Sequence, residues 1–188
     1  MIKIKHNPNG DTRSAPKDIT FEQFHEANIS HISDVDTVMY ALSQVLKMMG
    51  ERHDWTKLEY EDLFYKNFLS TMNEGTDFVN DKWYQLHIEA ERHHPFSLCH
   101  EDINLLDIIE TIVDCVCAGK ARTGKIRPLE FNDEILRKAV KNTVDLIDTI
   151  TEVVYPEDSP VVEKEKAEEV TQDAVNTMND FTVYNFYE

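Results

Sequence analysis

The chain has 188 residues, of which 41% are hydrophobic, and this is enough to build one domain with an appendage. Glycine (5) and proline (6) are sparse, which favours long regular helices over a turn-rich β fold. The formal net charge of −17 argues against a broad basic surface for a nucleic-acid backbone, but it does not exclude a small phosphorylated substrate.

The predicted elements begin with an N-terminal arm, residues 1–19, in which an extended stretch precedes a loop. A helix is expected from Thr20, where the sequence matches a capping box, and a second helix from Ser33 to Gly50. Another capping-box pattern at Thr56 predicts the start of a third helix, which ends near Gly75.

Three further helices are predicted in the second half of the chain, over residues 81–94, 101–118 and 132–155. The second of these is the most apolar, and Gly119 is its expected C-terminal cap, followed by a basic loop. Together these patterns predict an all-α helical domain over residues 20–155.

An acidic C-terminal extension, residues 156–188, follows this domain. Residues 161–178 have a weak helical pattern, and residues 181–187 alternate as in a β-strand. The β-branched Ile2 and Ile4 of the N-terminal arm are candidate partners for that strand.

The thiols and the apolar segments indicate where the protein resides. Three cysteines are an odd number, and two of them lie in an apolar run, which indicates reduced thiols. The first residues lack an apolar stretch of signal-peptide length, and no apolar segment approaches bilayer length. We therefore expect a cytoplasmic protein with no membrane partner.

An adjacent His53-Asp54 pair lies just beyond a predicted helix end, and both side chains are ligands for divalent cations. Asp114 lies within the most apolar helix, where a carboxylate is costly to bury unless it is paired or bound to a metal. Asp107 and Glu110 share its helix face, and a solvated acidic stripe explains them equally well.

A second stripe combines His87, Glu91 and His94 at helical spacing, which places both histidines on one face and directs His93 elsewhere. Aligned histidines that bracket a carboxylate can bind a metal ion. The alternative is a hydrophilic helix end that faces solvent. His31 stands alone upstream, and by itself it is as well explained by a surface position.

In chain order the candidate ligands are His31, His53-Asp54, His87 with His93-His94, and Asp114. This order resembles the HD-domain superfamily of metal-dependent phosphohydrolases, which are all-helical and have ligands in the order His, His-Asp, Asp. The likeness covers residues 20–150, and it is greatest to small, often phage-encoded HD-type proteins that have a hydroxyl residue and a lysine after His-Asp. It implies an HD-domain-like helical bundle with a short terminal appendage, located in the host cytoplasm if phage-encoded.

The resemblance implies a set of ligands for one or two divalent ions (Mn, Mg, Co, Ni, Zn or Fe). His31, His53, Asp54 and Asp114 would hold the first ion. His87 and His94 would hold a second one. The implied reaction is metal-assisted hydrolysis of a phosphate ester, with a nucleotide as the first expectation.

Further roles follow for the neighbouring polar residues. Lys57 resembles the family lysine that meets a substrate phosphate, and it is a catalytic as well as a substrate-binding candidate. Glu91 or His93 would act as general acid or base. The other cations expected at the substrate are Arg92, Arg122 and Lys125.

Two other functions are compatible with the same residues. Some two-metal members of the superfamily bind a pair of irons and activate oxygen, and the same histidines would serve that chemistry. Alternatively, the chain is a non-catalytic protein that binds a nucleotide or another protein, for which the acidic, aromatic-ended extension is a candidate interface. The sequence leaves the oligomeric state open, a homo-oligomer included.

Overall fold

The computed structural model describes residues 1–155 and 175–176. Within these residues the chain forms six α-helices and one two-stranded parallel sheet, which confirms the all-α class. The chain divides into two compact units, of which the first contains residues 1–45 and the described residues from 145 onward. The second comprises residues 46–144. Apart from 175–176, the C-terminal extension with its predicted helix and strand lies outside the described residues.

The first unit contains the small sheet. Strand β1 (Ile2–Lys5) pairs in parallel with β2 (Thr151–Val154), with Ile2 opposite Thr151. The helix predicted to reach residue 155 therefore ends at Ile150, because the β-branched residues that follow favour a strand. The observed partner of β1 is β2, and the predicted partner over residues 181–187 is not described.

The long helix α1 (Phe21–Arg52) begins at the predicted capping box. The backbone N–H of Thr20 donates to the Gln23 side chain (3.0 Å), and the Gln23 N–H donates to the Thr20 hydroxyl (3.2 Å). The separate helix start predicted at Ser33 is wrong, since α1 passes through it without interruption. A Ser-Asp pattern does not end a helix by itself, and no glycine or proline lies between Phe21 and Met49.

The second unit contains the end of α1 and the helices that carry most of the polar candidates. These helices are α2 (Trp55–Glu59), α3 (Glu61–Glu74), α4 (Lys82–Ala90), α5 (Leu105–Thr123) and the larger part of α6 (Asp133–Ile150). Ile103, Ile108, Ile135 and Ala139 form a buried cluster between α5 and α6. The Thr143 hydroxyl of α6 accepts the Leu105 N–H (2.8 Å), which fixes the start of α5 against this cluster.

Both ends of α5 differ from the prediction. The helix starts at Leu105, after the capping box of Asn104 and Asp107, whose carboxylate accepts the Asn104 N–H (2.9 Å). Gly124, in the left-handed conformation (φ 71°), caps the C-terminus. Gly119 lies inside the helix, where a Cβ atom would come within 2.8 Å of the Lys125 carbonyl oxygen. Its role is to let the loop after α5 pass close to the helix.

Replacing Gly119 by alanine should therefore destabilise the fold. The clash with a backbone carbonyl costs about 1–3 kcal/mol, and only about 1 kcal/mol of helix propensity offsets it. The matched control is Gly50→Ala in α1, where a Cβ would meet nothing within 4 Å. We expect that control to raise the free energy of unfolding by up to about 1 kcal/mol. Urea unfolding measures both changes, and equal shifts in the two variants would contradict the assigned role of Gly119.

Candidate metal centre

The candidate centre lies within the second unit and starts at the turn after α1. Asp54, between α1 and α2, has φ 58° and ψ 26°, and it is the non-glycine residue with positive φ in the described part of the chain. This left-handed conformation is sparsely populated by residues with a Cβ, and such conformations concentrate at functional sites. It turns the chain so that the side chains of His53 and Asp54 meet, with 3.3 Å between Nε2 and Oδ2.

Helix α4 and the segment after it supply the remaining imidazoles. Helix α4 ends at Ala90 rather than at His94, and Glu91 is extended. Pro95 disfavours helical conformation in the residue before it, and this explains part of the early ending. His93, predicted to point elsewhere, instead lies between the rings of His53 and His94, at centroid distances of 4.4 and 4.2 Å.

The predicted pairing of His87 with His94 is present, although no helix connects the two residues. Their Nε2 atoms are 2.8 Å apart. Because α4 ends between them, the i, i+7 spacing on one helix is not the reason for the contact. The chain reaches the same arrangement by turning back after Ala90.

Helix α5 contributes two carboxylates to the same place. Asp114 Oδ1 lies 3.4 Å from His53 Nε2, and Glu110 Oε1 lies 3.0 Å from His53 Nδ1. Glu110 also approaches His93 Nδ1 at 3.5 Å. Glu110 therefore faces the centre, and the solvated alternative for this residue is excluded by its position. The sequence signal for it was only its place one helical turn before Asp114.

Potential ligand atoms gather in two overlapping groups, each with its atoms within 4.8 Å of one another. The first group consists of Asp54, His87, His93 and His94, and the second of His53, His93 and Asp114. Five of the six predicted metal ligands are thus brought together. The sixth, His31, belongs to the first unit and lies on α1 about six helical turns before Arg52; neither group contains it.

Hydrogen bonds on the outer side of the rings orient them. The Thr56 hydroxyl donates to Glu91 Oε1 (3.0 Å) and lies 2.6 Å from His87 Nδ1. Since the hydroxyl has one proton, His87 Nδ1–H must be the donor in the second bond, which leaves the Nε2 lone pair facing the centre. Metal-binding histidines characteristically donate their other N–H in this way. Thr56 thus orients His87 instead of capping a helix as predicted, and its capping-box pattern concealed this role.

Three buried atoms of the centre have no hydrogen-bond partner within the described residues. They are Asp54 Oδ1 and both ring nitrogens of His93, and His93 Nε2 faces Asp54 Oδ1 at 3.6 Å. The side chain of His93 is only 1% exposed, so water does not readily satisfy it. Unpaired buried polar atoms are costly, and a carboxylate oxygen opposite an imidazole nitrogen fits the coordination of a divalent cation. The donor set therefore fits a metal ion.

The electrostatics divide the imidazoles into two kinds. Burial, followed by the neighbouring histidines, lowers the pKa of His87 to about 3, and burial with His93 lowers that of His94 to about 4. Both rings are neutral at pH 7, as metal ligands must be. Hydrogen bonds with Asp114, Asp54 and Glu110 raise the pKa of His53 to about 12. The imidazolium of His53 thus supplies positive charge among the carboxylates, and a bound cation would replace its proton.

The carboxylates respond to the same surroundings. Burial raises the pKa of Asp54, but its close contacts with His53, His93 and Lys57 outweigh this effect and hold the pKa well below its usual range. The hydrogen bond with His53 lowers the pKa of Asp114. Burial raises the pKa of Glu91, against the two hydrogen bonds that Thr56 donates. Asp54 and Asp114 are therefore ionised at pH 7.

The predicted substrate-binding cations have different surroundings. Lys57 Nζ donates to Asp54 Oδ2, so it lies at the edge of the centre. Arg92 is 5% exposed, and its guanidinium nitrogens donate to Asp102 and Asp107. It ties the segment carrying His93 to the start of α5, a role different from the predicted contact with substrate. Arg122, in the last turn of α5, and Lys125, after its cap, are both exposed.

The fold and the centre together define a class of protein: a mainly helical chain with a cluster of imidazoles and carboxylates whose arrangement would suit a divalent cation. The chain belongs to a family described as "Family of unknown function (DUF5662)", whose model matches residues 20–155. Searches of curated proteins and of solved structures found no match. Among the described helices, none has the length and apolar character needed to cross a membrane.

The neutral histidines predict how stability depends on pH in the presence of a chelator. The pKa of His94 is about 4 in the folded state against 6.5 ordinarily, so the unfolded chain binds more protons between these values. This contribution to stability is present above pH 6.5 and is lost as pH falls toward 4. His87 acts in the same direction. His53, with its raised pKa, adds no pH dependence to the free energy of unfolding below pH 6.5, because it is protonated there in both the folded and the unfolded chain.

Urea unfolding from pH 7 to pH 4.5 should show this loss for the wild-type chain. In the variant His94→Gln, the free energy of unfolding should depend on pH less steeply, by up to about 1.4 kcal/mol per pH unit, which corresponds to one proton. Identical slopes in the two proteins would contradict a neutral His94 in the folded state.

Proposed function

We propose that this protein is a metal-dependent phosphohydrolase of the HD type that acts on a phosphate ester. The observation that carries the proposal is the unpaired Asp54 Oδ1 opposite His93 Nε2, within a group of four potential ligands that includes His87 and His94. A cation is the group that would satisfy all of these atoms at once. Three imidazoles and a carboxylate favour Zn, Mn, Fe, Co or Ni over Mg, because nitrogen ligands suit those ions better.

A second ion would use the other face of Asp54. A neutral His93 ring has one lone pair, so it can serve only one of the two groups. Asp54 Oδ1 faces His87 and His93, whereas Oδ2 faces His53. In a two-metal centre, Asp54 would be available as a ligand to both ions, and His53 with Asp114 would supply further ligands for the second one.

The chemistry that a bound divalent ion supplies is a water ligand of lowered pKa and positive charge beside a phosphoryl oxygen. Lys57, hydrogen-bonded to Asp54 at the edge of the centre, is the residue we assign to a substrate phosphate oxygen. Glu91 accepts two bonds from Thr56 and lies 3.9 Å from His93 Nδ1, and this supports an orienting role over acid–base catalysis. His93 acts as a ligand in this scheme and not as the acid or base.

The resemblance to the HD-domain superfamily supports the proposal through His53-Asp54 and Asp114, which fall in one centre. The chain departs from the family order at its first histidine, because His31 is in neither group. His93 would take the place of that ligand. The proposed HD-like bundle therefore differs from the family in the origin of one ligand.

The second candidate function is an iron-dependent oxygenase. Four imidazoles within one centre favour it, because such nitrogen ligands also suit iron. Iron in the purified protein, an optical band that changes in air, and oxygen consumption would select this function. Phosphate release with a redox-inert ion such as zinc would select hydrolysis.

The first test replaces one assigned ligand and one unassigned histidine. We expect His93→Gln to lower the affinity for zinc or manganese by at least about 100-fold and to abolish phosphate release from p-nitrophenyl phosphate, because the buried ligand is lost. The matched control His31→Gln should retain both. Elemental analysis and a phosphatase assay with several divalent metals provide the readouts. Metal loss in His31→Gln with retention in His93→Gln would overturn the assignment.

The second test concerns Thr56, which touches no ion in this scheme. Replacing Thr56 by valine removes the hydroxyl that fixes His87, and we expect a 10- to 100-fold loss of metal affinity. Thr143→Val is the matched control, since that hydroxyl is also buried but accepts its hydrogen bond from Leu105 at the start of α5. A competitive chelator titration measures both. Equal affinities in the two variants would contradict the orienting role of Thr56.

A further inference from the structure

A cavity of about 520 Å³ adjoins the candidate centre within the second unit. The end of α1 and the length of α5 form its walls, and His53, Glu110 and Asp114 are among the lining residues. The volume is in the range of pockets that bind small molecules, about 300–1,000 Å³. A substrate whose phosphate meets the centre would therefore have its organic part in this cavity.

The walls of the cavity are aliphatic. Leu46 and Met49 come from α1, and Ile109, Val113 and Ala118 come from α5. Ile109 and Val113 are 42% and 55% exposed, although both are large apolar side chains beside a polar centre. An apolar surface left to water beside converging polar groups is characteristic of a ligand site.

The lining offers few groups that would recognise a nucleobase. Among the described residues, its one aromatic ring is the imidazole of His53, which belongs to the polar centre, and no asparagine or glutamine side chain is present for hydrogen bonds. The base and sugar of a nucleotide would leave polar atoms unpaired against these walls, which weakens binding. An aliphatic chain has no such atoms, and each methylene that it buries strengthens binding by roughly fourfold.

The charged residues of the cavity are compatible with this orientation. Asp114 and Arg122 lie on the same helix, roughly 12 Å apart along its axis, and both line the cavity. With the phosphate at the centre, the aliphatic chain of the ligand would run along α5 toward Arg122. The methylene stem of that arginine can cover the chain while its guanidinium stays in water.

We infer that the cavity binds the aliphatic chain of a phosphate monoester, so that aliphatic phosphates, and not nucleotides, are the substrate class of this centre. The inference rests on the proposed phosphohydrolase function. It replaces the nucleotide that the sequence resemblance suggests by a class that the cavity walls can accommodate.

The test separates binding of the chain from hydrolysis. Octylphosphonate and ethylphosphonate have a C–P bond that phosphate-ester hydrolysis does not break, so calorimetric titration below the micelle concentration measures binding alone. We expect octylphosphonate to bind the zinc-loaded protein at least about 100-fold more tightly than ethylphosphonate and than adenosine monophosphate. The expected ratio between the two phosphonates is well below the largest ratio possible, which is about fourfold for each of the six added methylenes.

Substitutions in α5 test where the aliphatic chain of the ligand lies. Val113→Asn should lower the ratio of octyl to ethyl affinity at least tenfold. Ile112→Asn is the matched control, because Ile112 is similarly exposed on the same helix but does not line the cavity, and it should leave the ratio unchanged. If the two substitutions changed the ratio of octyl to ethyl affinity equally, the assigned position of the ligand's aliphatic chain would be overturned.

The same protein is then assayed for phosphate release from octyl phosphate, ethyl phosphate and adenosine monophosphate. A higher kcat/KM for octyl phosphate supports the inference. Tight, chain-dependent binding of octylphosphonate without phosphate release from any ester would support the ligand class and overturn only the proposed hydrolysis. Equal affinity for the two phosphonates, or tighter binding of adenosine monophosphate, would overturn the inference whether or not esters are hydrolysed.

Discussion

The carboxylate of Asp54 is the group on which the polar centre of the second unit depends. Its two oxygens face different partners: Oδ2 contacts His53 and Lys57, and Oδ1 lies opposite His87 and His93. Buried carboxylates and imidazoles are tolerated together only when charge and hydrogen bonds balance. Without a cation the His53 imidazolium provides that balance, but it leaves Asp54 Oδ1 unpaired. The left-handed backbone conformation of Asp54 is locally strained, and this arrangement of side chains depends on it.

A second buried ion pair keeps the centre assembled from distant parts of the chain. Arg92 donates to Asp107 and Asp102, and Asp107 also forms the capping box of α5. The ion pair thereby connects the segment with His93 and His94 to the helix with Glu110 and Asp114. Removing one partner of a buried pair leaves an uncompensated charge, so this connection is costly to break. The centre is therefore preorganised by residues that do not belong to it.

The aliphatic cavity beside the centre gives the site two chemically different halves. Imidazoles and carboxylates converge on one side, and methyl and methylene groups form the other. Helix α5 contributes to both, because its Asp114 face and its Val113 side are adjacent positions on one helix surface. The proposed aliphatic phosphate, with a charged head and an apolar body, matches this division.

The sequence alone determined the features that depend on neighbouring residues. Helical periodicity and the scarcity of glycine and proline predicted the all-α class, and the pattern after Thr20 predicted the capping box that begins α1. His53-Asp54 and Asp114 were recognisable as candidate ligands because the chemistry of their side chains and the apolar character of a helix are visible in the local sequence.

Tertiary structure decided the features that depend on partners far along the chain. Thr56 and Glu91 are 35 residues apart, and their hydrogen bonds turn a capping-box threonine into the residue that orients His87. Arg92 pairs with Asp107 instead of facing a substrate, and the turn after Ala90 brings His93 inward. Buried polar groups take whichever partners satisfy their hydrogen bonds, and local sequence patterns do not specify partners that come from distant segments.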